Sequence, residues 1–113
     1  MGRGIYDYKN GDQYEGEWNS GTKQGYGTLK DNLGNTYEGE WVNDVRMGKG
    51  TSISKSGDKY VGDWVNDMRH GKGEITYSNG DSYIGDWIDN TKEGQGVETV
   101  SYTHLTLPTK DSV

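Results

Sequence analysis

Aromatic and glycine residues recur along the chain with a fixed period of 23 residues. The pattern Tyr-x-Gly-x-Trp begins at Tyr14, Tyr37, Tyr60 and Tyr83, and most of the residues at its x positions are Glu or Asp. Successive side chains of a β-strand point to opposite faces, so the Tyr, Gly and Trp of one copy share a face. The alternation therefore predicts four strands, each with an aromatic face and a mostly acidic face.

A second strand is predicted after each aromatic strand, beyond a connector of six residues. It carries a Gly-x-Gly pair and then an apolar residue, as in Gly71, Gly73 and Ile75, which we expect to share one face. If the two strands pair as a hairpin, the glycines lie beside the rings and leave room for a ring to lie flat on the backbone. A fixed period in this range is typical of repeat proteins.

Turn residues occupy two columns of the repeat. One column is a dipeptide that ends in glycine and is typical of tight turns: Asn10-Gly11, Leu33-Gly34, Ser56-Gly57 and Asn79-Gly80. The other is the third position of the six-residue connector: Gly21, Asp44, Asp67 and Asn90. These residue types tolerate a left-handed backbone, so we predict a positive φ throughout the second column.

These elements predict an all-β fold, and no segment shows a sustained helical period. The expected architecture is a single-layer, elongated antiparallel meander of repeated β-hairpins, with one 23-residue repeat per hairpin. The array spans residues 1–99, with a partial repeat over 1–13 and repeats that begin at residues 14, 37, 60 and 83, the last of them truncated. Residues 100–109 resemble translated sequencing-adaptor sequence, so we expect a non-native or disordered tail over 100–113.

Composition by itself points towards disorder, because the mean hydropathy is −1.08 and only 28% of the residues are hydrophobic. The fixed columns of Trp and Tyr oppose that interpretation, since a disordered segment has no reason to keep them. Apolar burial must come from rings packed against glycine backbone. We therefore expect a thin core in which each repeat depends on its neighbours.

The net charge of −6 disfavours nucleic acid as a partner. The absence of cysteine removes disulfides and thiolate chemistry. The sequence contains no run with the length of a transmembrane helix and no apolar N-terminal signal segment. A cytoplasmic location is the default expectation.

The repeated pattern resembles the MORN (membrane occupation and recognition nexus) repeat. The best copies are Y-E-G-E-W-V-N-D-V-R-M-G-K-G, from Tyr37, and Y-V-G-D-W-V-N-D-M-R-H-G-K-G, from Tyr60. The chain departs from the family at Asp44, Asp67 and Asn90, where glycine is usual. The resemblance implies a single-layer sheet with a scaffold or binding role, sometimes beside a lipid kinase or methyltransferase domain, and it transfers no catalytic residue and no cofactor.

The aromatic face is the first candidate for a binding surface. Its rings would line a groove that accepts an extended peptide, or they would form only the core of the repeat itself. The residues concerned are Tyr14, Trp18, Tyr37, Trp41, Tyr60, Trp64, Tyr83 and Trp87.

A basic column is the second candidate: Lys23, Arg46, Arg69 and Lys92. One cation per repeat along a rim suits a phosphate or an anionic headgroup. Two strands per repeat space these cations about 10 Å apart, which is no closer than the Debye length of about 8 Å. The charges therefore reinforce one another little, and the alternative is that they are solvated connector residues.

Catalytic chemistry finds little support in the sequence. Carboxylate pairs such as Glu15 and Glu17 stand on an open sheet with no expected pocket to shift a pKa. His70 has no companion with metal-ligand spacing, and Gly-Lys-Gly-Thr at residues 48–51 lacks the strand-loop-helix setting of a phosphate loop. We predict neither catalytic residues nor metal sites.

The preferred hypothesis is a non-catalytic scaffold that binds a protein or peptide partner through the aromatic face. Two alternatives stay open: a peripheral membrane or phosphoinositide-binding module that uses the basic column, and accessory repeats of a larger enzyme. Unpaired strands at the two ends of the array also favour homo-oligomers.

Overall fold

The computed structural model describes residues 2–100, and nine strands cover most of this range. The strands are β1 (Gly2–Asp7), β2 (Gln13–Asn19), β3 (Thr22–Lys30), β4 (Thr36–Val42), β5 (Val45–Ile53), β6 (Lys59–Val65), β7 (Met68–Thr76), β8 (Ser82–Ile88) and β9 (Thr91–Thr99). The predicted tail falls almost entirely outside the described residues.

The nine strands form one open sheet in sequence order, and every neighbouring pair is antiparallel. No helix occurs among residues 2–100, so the predicted all-β, single-layer meander of hairpins is confirmed. All four Tyr-x-Gly-x-Trp patterns place their rings on the same side of the sheet, here called the ring face, and the opposite side is called the outer face. The expectation that the rings share one side is therefore confirmed.

A two-residue turn closes each hairpin between an aromatic strand and the glycine-rich strand that follows. Both turn residues have positive φ, for example 49° at Asn43 and 71° at Asp44. Positive φ at both central positions is the signature of a type I′ turn, whose twist matches that of paired strands. The prediction for the second residue is confirmed in all four turns, and the left-handed residue before it was not anticipated.

The dipeptides that end in glycine lie in loops of five residues rather than in two-residue turns. In the first loop, residues 8–12, the Gly11 amide donates to the Tyr8 carbonyl at 3.0 Å, and Gly11 has a φ of 100°. Asn10 keeps a negative φ, as do its equivalents Leu33 and Ser56. The dipeptide therefore ends a four-residue turn closed by this hydrogen bond instead of forming a two-residue hairpin turn, and the column tolerates different residues before the glycine.

A β-bulge in the glycine-rich strand interrupts its pairing with the preceding aromatic strand in every repeat. The register shifts between Gly62 and Trp64 in β6, and the bulged residue Gly71 has a φ of 95°. The carboxylate of Asp63 accepts a hydrogen bond from the Lys72 amide at 3.0 Å, so an acidic side chain satisfies the backbone that the bulge frees. The glycine-rich strand is therefore not a regular strand throughout, as the simple alternation had suggested.

Glycine pairs from adjacent strands form the floor on which each tyrosine ring rests. Gly62 is directly opposite Gly73, and the Tyr60 ring lies over this pair. A Cβ built on Gly73 would lie less than 3.0 Å from the Tyr60 hydroxyl and ring. The absence of side chains on both strands is therefore a steric requirement.

Replacing Gly73 with alanine tests that requirement. We expect Gly73→Ala to lower the free energy of unfolding by about 3 kcal/mol, because the Tyr60 ring must leave its position. Gly4 stands in the same column of the repeat but has no atom within 4 Å of its Cβ position, so Gly4→Ala is the matched control and should change stability little. Equal losses in urea denaturation of the two variants would contradict the steric account.

Candidate binding surface

The rings of the ring face form a continuous series that runs across the sheet. Trp41 lies between Tyr14 and Tyr37, with ring centroids 5.7 and 5.1 Å away, and each contact is edge-to-face. Trp64 then contacts Tyr37 at 5.2 Å, and the same alternation continues to Tyr83. Edge-to-face ring pairs are the favoured geometry and contribute roughly 0.5–1.5 kcal/mol each beyond the buried area.

Most of these rings are buried. The buried core consists of Tyr14, Tyr37, Trp41, Tyr60, Trp64, Ile75, Tyr83 and Trp87, and Trp18 is only partly buried. Seven of the eight ring residues proposed as contacts are therefore enclosed by their own chain, which makes them the core of the repeat array.

Each buried ring has a backbone partner for its polar atom. The Tyr37 hydroxyl donates to the Glu40 carbonyl at 3.0 Å within its own strand. The indole of Trp41 donates to the Gly27 carbonyl at 3.1 Å, and Trp64 and Trp87 make the same bond one and two repeats later. Because each indole bonds to the preceding repeat, the tryptophan column ties neighbouring repeats together.

The basic column lies over the rings instead of forming a solvated rim. The Arg46 guanidinium is 4.7 Å from the Trp64 ring centroid and 5.6 Å from that of Tyr37. Lys23 and Arg69 stand in the same way over Trp41 and Trp87. The expectation of solvated connector residues was wrong, because the charged groups themselves lie over the rings as cation–π contacts.

Three of the four basic side chains, those of Lys23, Arg46 and Arg69, also bind the turn of the next repeat, whereas Lys92 pairs with Glu98 of its own strand. Arg46 Nε donates to Asp67 Oδ1 at 3.0 Å, and Arg46 Nη2 donates to the Asp67 carbonyl at 3.0 Å. The backbone amide of Arg46 donates to the same carboxylate at 2.8 Å. Arg69 repeats this arrangement with Asn90. The constant offset of 21 residues between the two columns was the signal in the sequence that would have paired them.

The N-terminal end of the ring face differs from the interior. Trp18 makes no indole hydrogen bond and carries no overlying cation within residues 2–100. The Tyr6 ring is 5.8 Å from Trp18 and 4.6 Å from Tyr8, both edge-to-face. Together with Gly4 these rings line an open pocket of about 500 Å³.

Two carboxylates of the outer face, those of Asp63 and Asp86, have lowered pKa values. Desolvation acts to raise the pKa of Asp63, but hydrogen bonds from Lys49 and from the Lys72 amide outweigh it and lower that pKa. The Lys72 ammonium likewise lowers the pKa of Asp86. Both groups are held as carboxylates, whereas a general acid needs a raised pKa.

Two further observations concern the described residues alone. Residues 2–100 contain no group of three or more His, Asp or Glu placed to hold a metal ion. The same part of the chain contains no helix long and apolar enough to cross a membrane.

Comparison with protein families agrees with this geometry. The model of the MORN repeat matches residues 1–13, 14–34, 37–59, 60–82 and 83–99, which is nearly all of the described sheet. The chain belongs to the MORN repeat family. No curated protein matches it. MORN repeats are in general non-catalytic binding or scaffold modules, and the arrangement of rings, glycines and cations described above is the physical form that this module takes here.

Arginine at position 46 can be tested as a clamp between MORN repeats. We expect Arg46→Ala to lower the free energy of unfolding by about 2 kcal/mol, because a ring contact and two hydrogen bonds are lost. Arg46→Lys should cost about half as much, because lysine keeps the positive charge but lacks the planar guanidinium that donates several hydrogen bonds. The exposed Lys49, paired with Asp63 on the outer face, is the control, and Lys49→Ala should cost at most about 0.5 kcal/mol. Similar losses at both positions would contradict the clamp.

The buried phenols predict loss of stability in alkali. Burial raises the pKa of Tyr14 and Tyr37, and it raises the pKa of Tyr60 to about 12. The folded state therefore holds these protons more tightly than the unfolded state, whose tyrosines have a pKa of about 10. Stability is full below pH 10 and falls between about pH 10 and 12.

Denaturant unfolding followed by circular dichroism across this range measures the effect. Tyr60→Phe should reduce the dependence of stability on pH between about 10 and 12. The exposed Tyr6, on the same face, supplies the control variant Tyr6→Phe, which should leave that dependence unchanged. An unaltered slope in the Tyr60 variant would show that its burial does not control the alkaline transition.

Proposed function

We propose that this MORN array is a binding platform for a protein or peptide partner, with the open pocket at Trp18, Tyr6 and Tyr8 as its main contact on the ring face. The observation that carries the proposal is the difference between Trp18 and its three equivalents. Each of the others is buried and donates its indole N–H to the preceding repeat, whereas the half-buried Trp18 keeps ring surface and an indole donor available.

The interior rings support this contact without making it. Because Trp41 and Tyr14 are buried, a partner cannot reach much of their surface. Their edge-to-face packing holds Trp18 and its neighbours on a rigid sheet, and aromatic side chains held rigidly are the groups that contribute most to protein interfaces. The ring face thus binds the partner at its N-terminal end and forms the core of the fold along the rest of its length.

The basic column favours a protein partner over an anionic membrane. The Arg46 and Lys23 side chains are already committed to Asp67 and Asp44, the latter pair at 3.5 Å. A phosphate headgroup would have to compete with these carboxylates in a chain of net charge −6. A membrane-binding role through this column would therefore disturb the contacts that join one repeat to the next.

A selection from a phage-displayed random peptide library on the immobilised chain tests the proposal. We expect the selected peptides to lose at least about tenfold in affinity when Tyr6 becomes alanine, since an aromatic hot spot contributes about 1–2 kcal/mol or more. Tyr26 is the matched control: it is 47% exposed, against 52% for Tyr6, and lies on the outer face. Trp18→Ala, checked for retained folding, should reduce binding further.

Two results would contradict the proposal. Peptides that respond to Tyr26→Ala and ignore Tyr6→Ala would move the contact to the outer face. The second result is co-sedimentation of the chain at low salt with vesicles that contain anionic lipid. If Lys23→Gln abolished it, a membrane would be the partner instead.

A further inference from the structure

The outer face carries a row of side chains that crosses all nine strands, and its two halves differ in chemistry. Strand register places one residue of each strand in this row: Ile5, Glu15, Thr28, Glu38, Thr51, Val61, Glu74, Ile84 and Val97. The repeats are alike on the ring face but not here. The aromatic strands contribute Glu15 and Glu38 in the first half, and Val61 and Ile84 in the second.

The first half is acidic, and its acidic side chains have no cationic partner within the part of the chain that the structure describes. Beside the row, Glu17 and Glu40 accept hydrogen bonds from the amides of the bulges. Glu38 accepts one from the Tyr26 hydroxyl at 3.1 Å. Among residues 2–100 none of these carboxylates, nor that of Glu15, forms an ion pair. Four negative charges therefore stand together on two adjacent aromatic strands.

In the second half the aromatic strands contribute apolar side chains, and Glu74 lies between Val61 and Ile84 in the row. Val61 is 46% exposed and Ile84 is 54% exposed, and Val97 continues the row on the last strand. The lysines that flank this row are neutralised, because Lys49 pairs with Asp63 and Lys72 pairs with Asp86. Ile84 and Val97 are paired on adjacent strands, and exposed apolar side chains that adjoin one another mark surfaces that bind other molecules.

We propose that the outer face binds an extended basic-and-apolar segment of a partner protein that runs across the strands. Its basic residues contact Glu15 and Glu38, and its apolar residues contact Val61 and Ile84. Equivalent positions of adjacent repeats are two strands, or about 10 Å, apart. An extended chain covers the same distance in about three residues, so the segment presents a basic or apolar side chain at every third position.

Two other occupants fit less well. A second copy of this chain would bring like charges together over the acidic half, and a straight helix would lose contact with a sheet that twists from strand to strand. The extended segment follows the twist and matches both the charge and the spacing. The four side chains proposed as contacts here do not line the Trp18 pocket, so either proposal can fail without the other.

A labelled peptide of about 18 residues tests the proposal: three Lys-Ser-Ser triplets followed by three Leu-Ser-Ser triplets. We expect it to bind the chain in fluorescence anisotropy at low salt, and a peptide with Glu in place of Lys should not bind. The double variant Glu15→Gln with Glu38→Gln should weaken binding about fivefold, which corresponds to two exposed ion pairs. Val61→Ser with Ile84→Ser should weaken it by a similar factor and leave its salt dependence unchanged.

The matched control changes the same charge elsewhere. Glu98→Gln with Asp89→Asn alters one residue near Lys92 and one in a turn, both outside the outer-face row, and should leave affinity unchanged. Equal weakening in this control would show that binding depends only on the net charge of the chain, and it would overturn the proposal. Absence of binding up to about 1 mM would also overturn it. So would a dimer in sedimentation experiments that Val61→Ser dissociates, because the apolar half would then contact a second copy.

Discussion

The contact between a tyrosine ring and a pair of opposed glycines is the interaction on which this structure depends. Most domains bury apolar surface between two layers, but this sheet has no second layer. Its rings pack instead on bare backbone of the sheet that carries them, as Tyr60 does over Gly62 and Gly73. Any side chain at those glycines would lift the ring away, so the glycine content that weakens an ordinary strand is what permits a core here.

Coupling between repeats follows from the position of the polar groups around the rings. Each interior tryptophan donates to a carbonyl of the preceding repeat, and Lys23, Arg46 and Arg69 each lie over the tryptophan of the next repeat and bind the turn there. A repeat is therefore complete only in the presence of both neighbours. Stability in such an array comes from interfaces between adjacent units as well as from the units themselves.

The two faces of the sheet are consequently free to serve different purposes. On the ring face, most aromatic and basic side chains make contacts within the chain, and ring surface stays open at Trp18. On the outer face, the carboxylates that accept hydrogen bonds from the bulge amides are the side chains that support the fold. The central row therefore varies from Glu15 to Ile84 without harm to the fold. Binding specificity in this protein is expected where the repeats differ, while the fold is maintained where they agree.

The sequence by itself determined the strands, their order, the common face of the rings and one left-handed turn column, because all of these follow from a period of two within strands and of 23 between repeats. Only the tertiary structure decided where long side chains go. Arg46 lies over Trp64 and binds Asp67 because the pairing of β5 with β6 brings the next repeat within its reach, and a flexible side chain has no fixed direction in a strand pattern. The bulge at Gly71 and the five-residue loop at Gly11 were also not predicted from the sequence, because both depend on which backbone groups the paired strands leave unsatisfied.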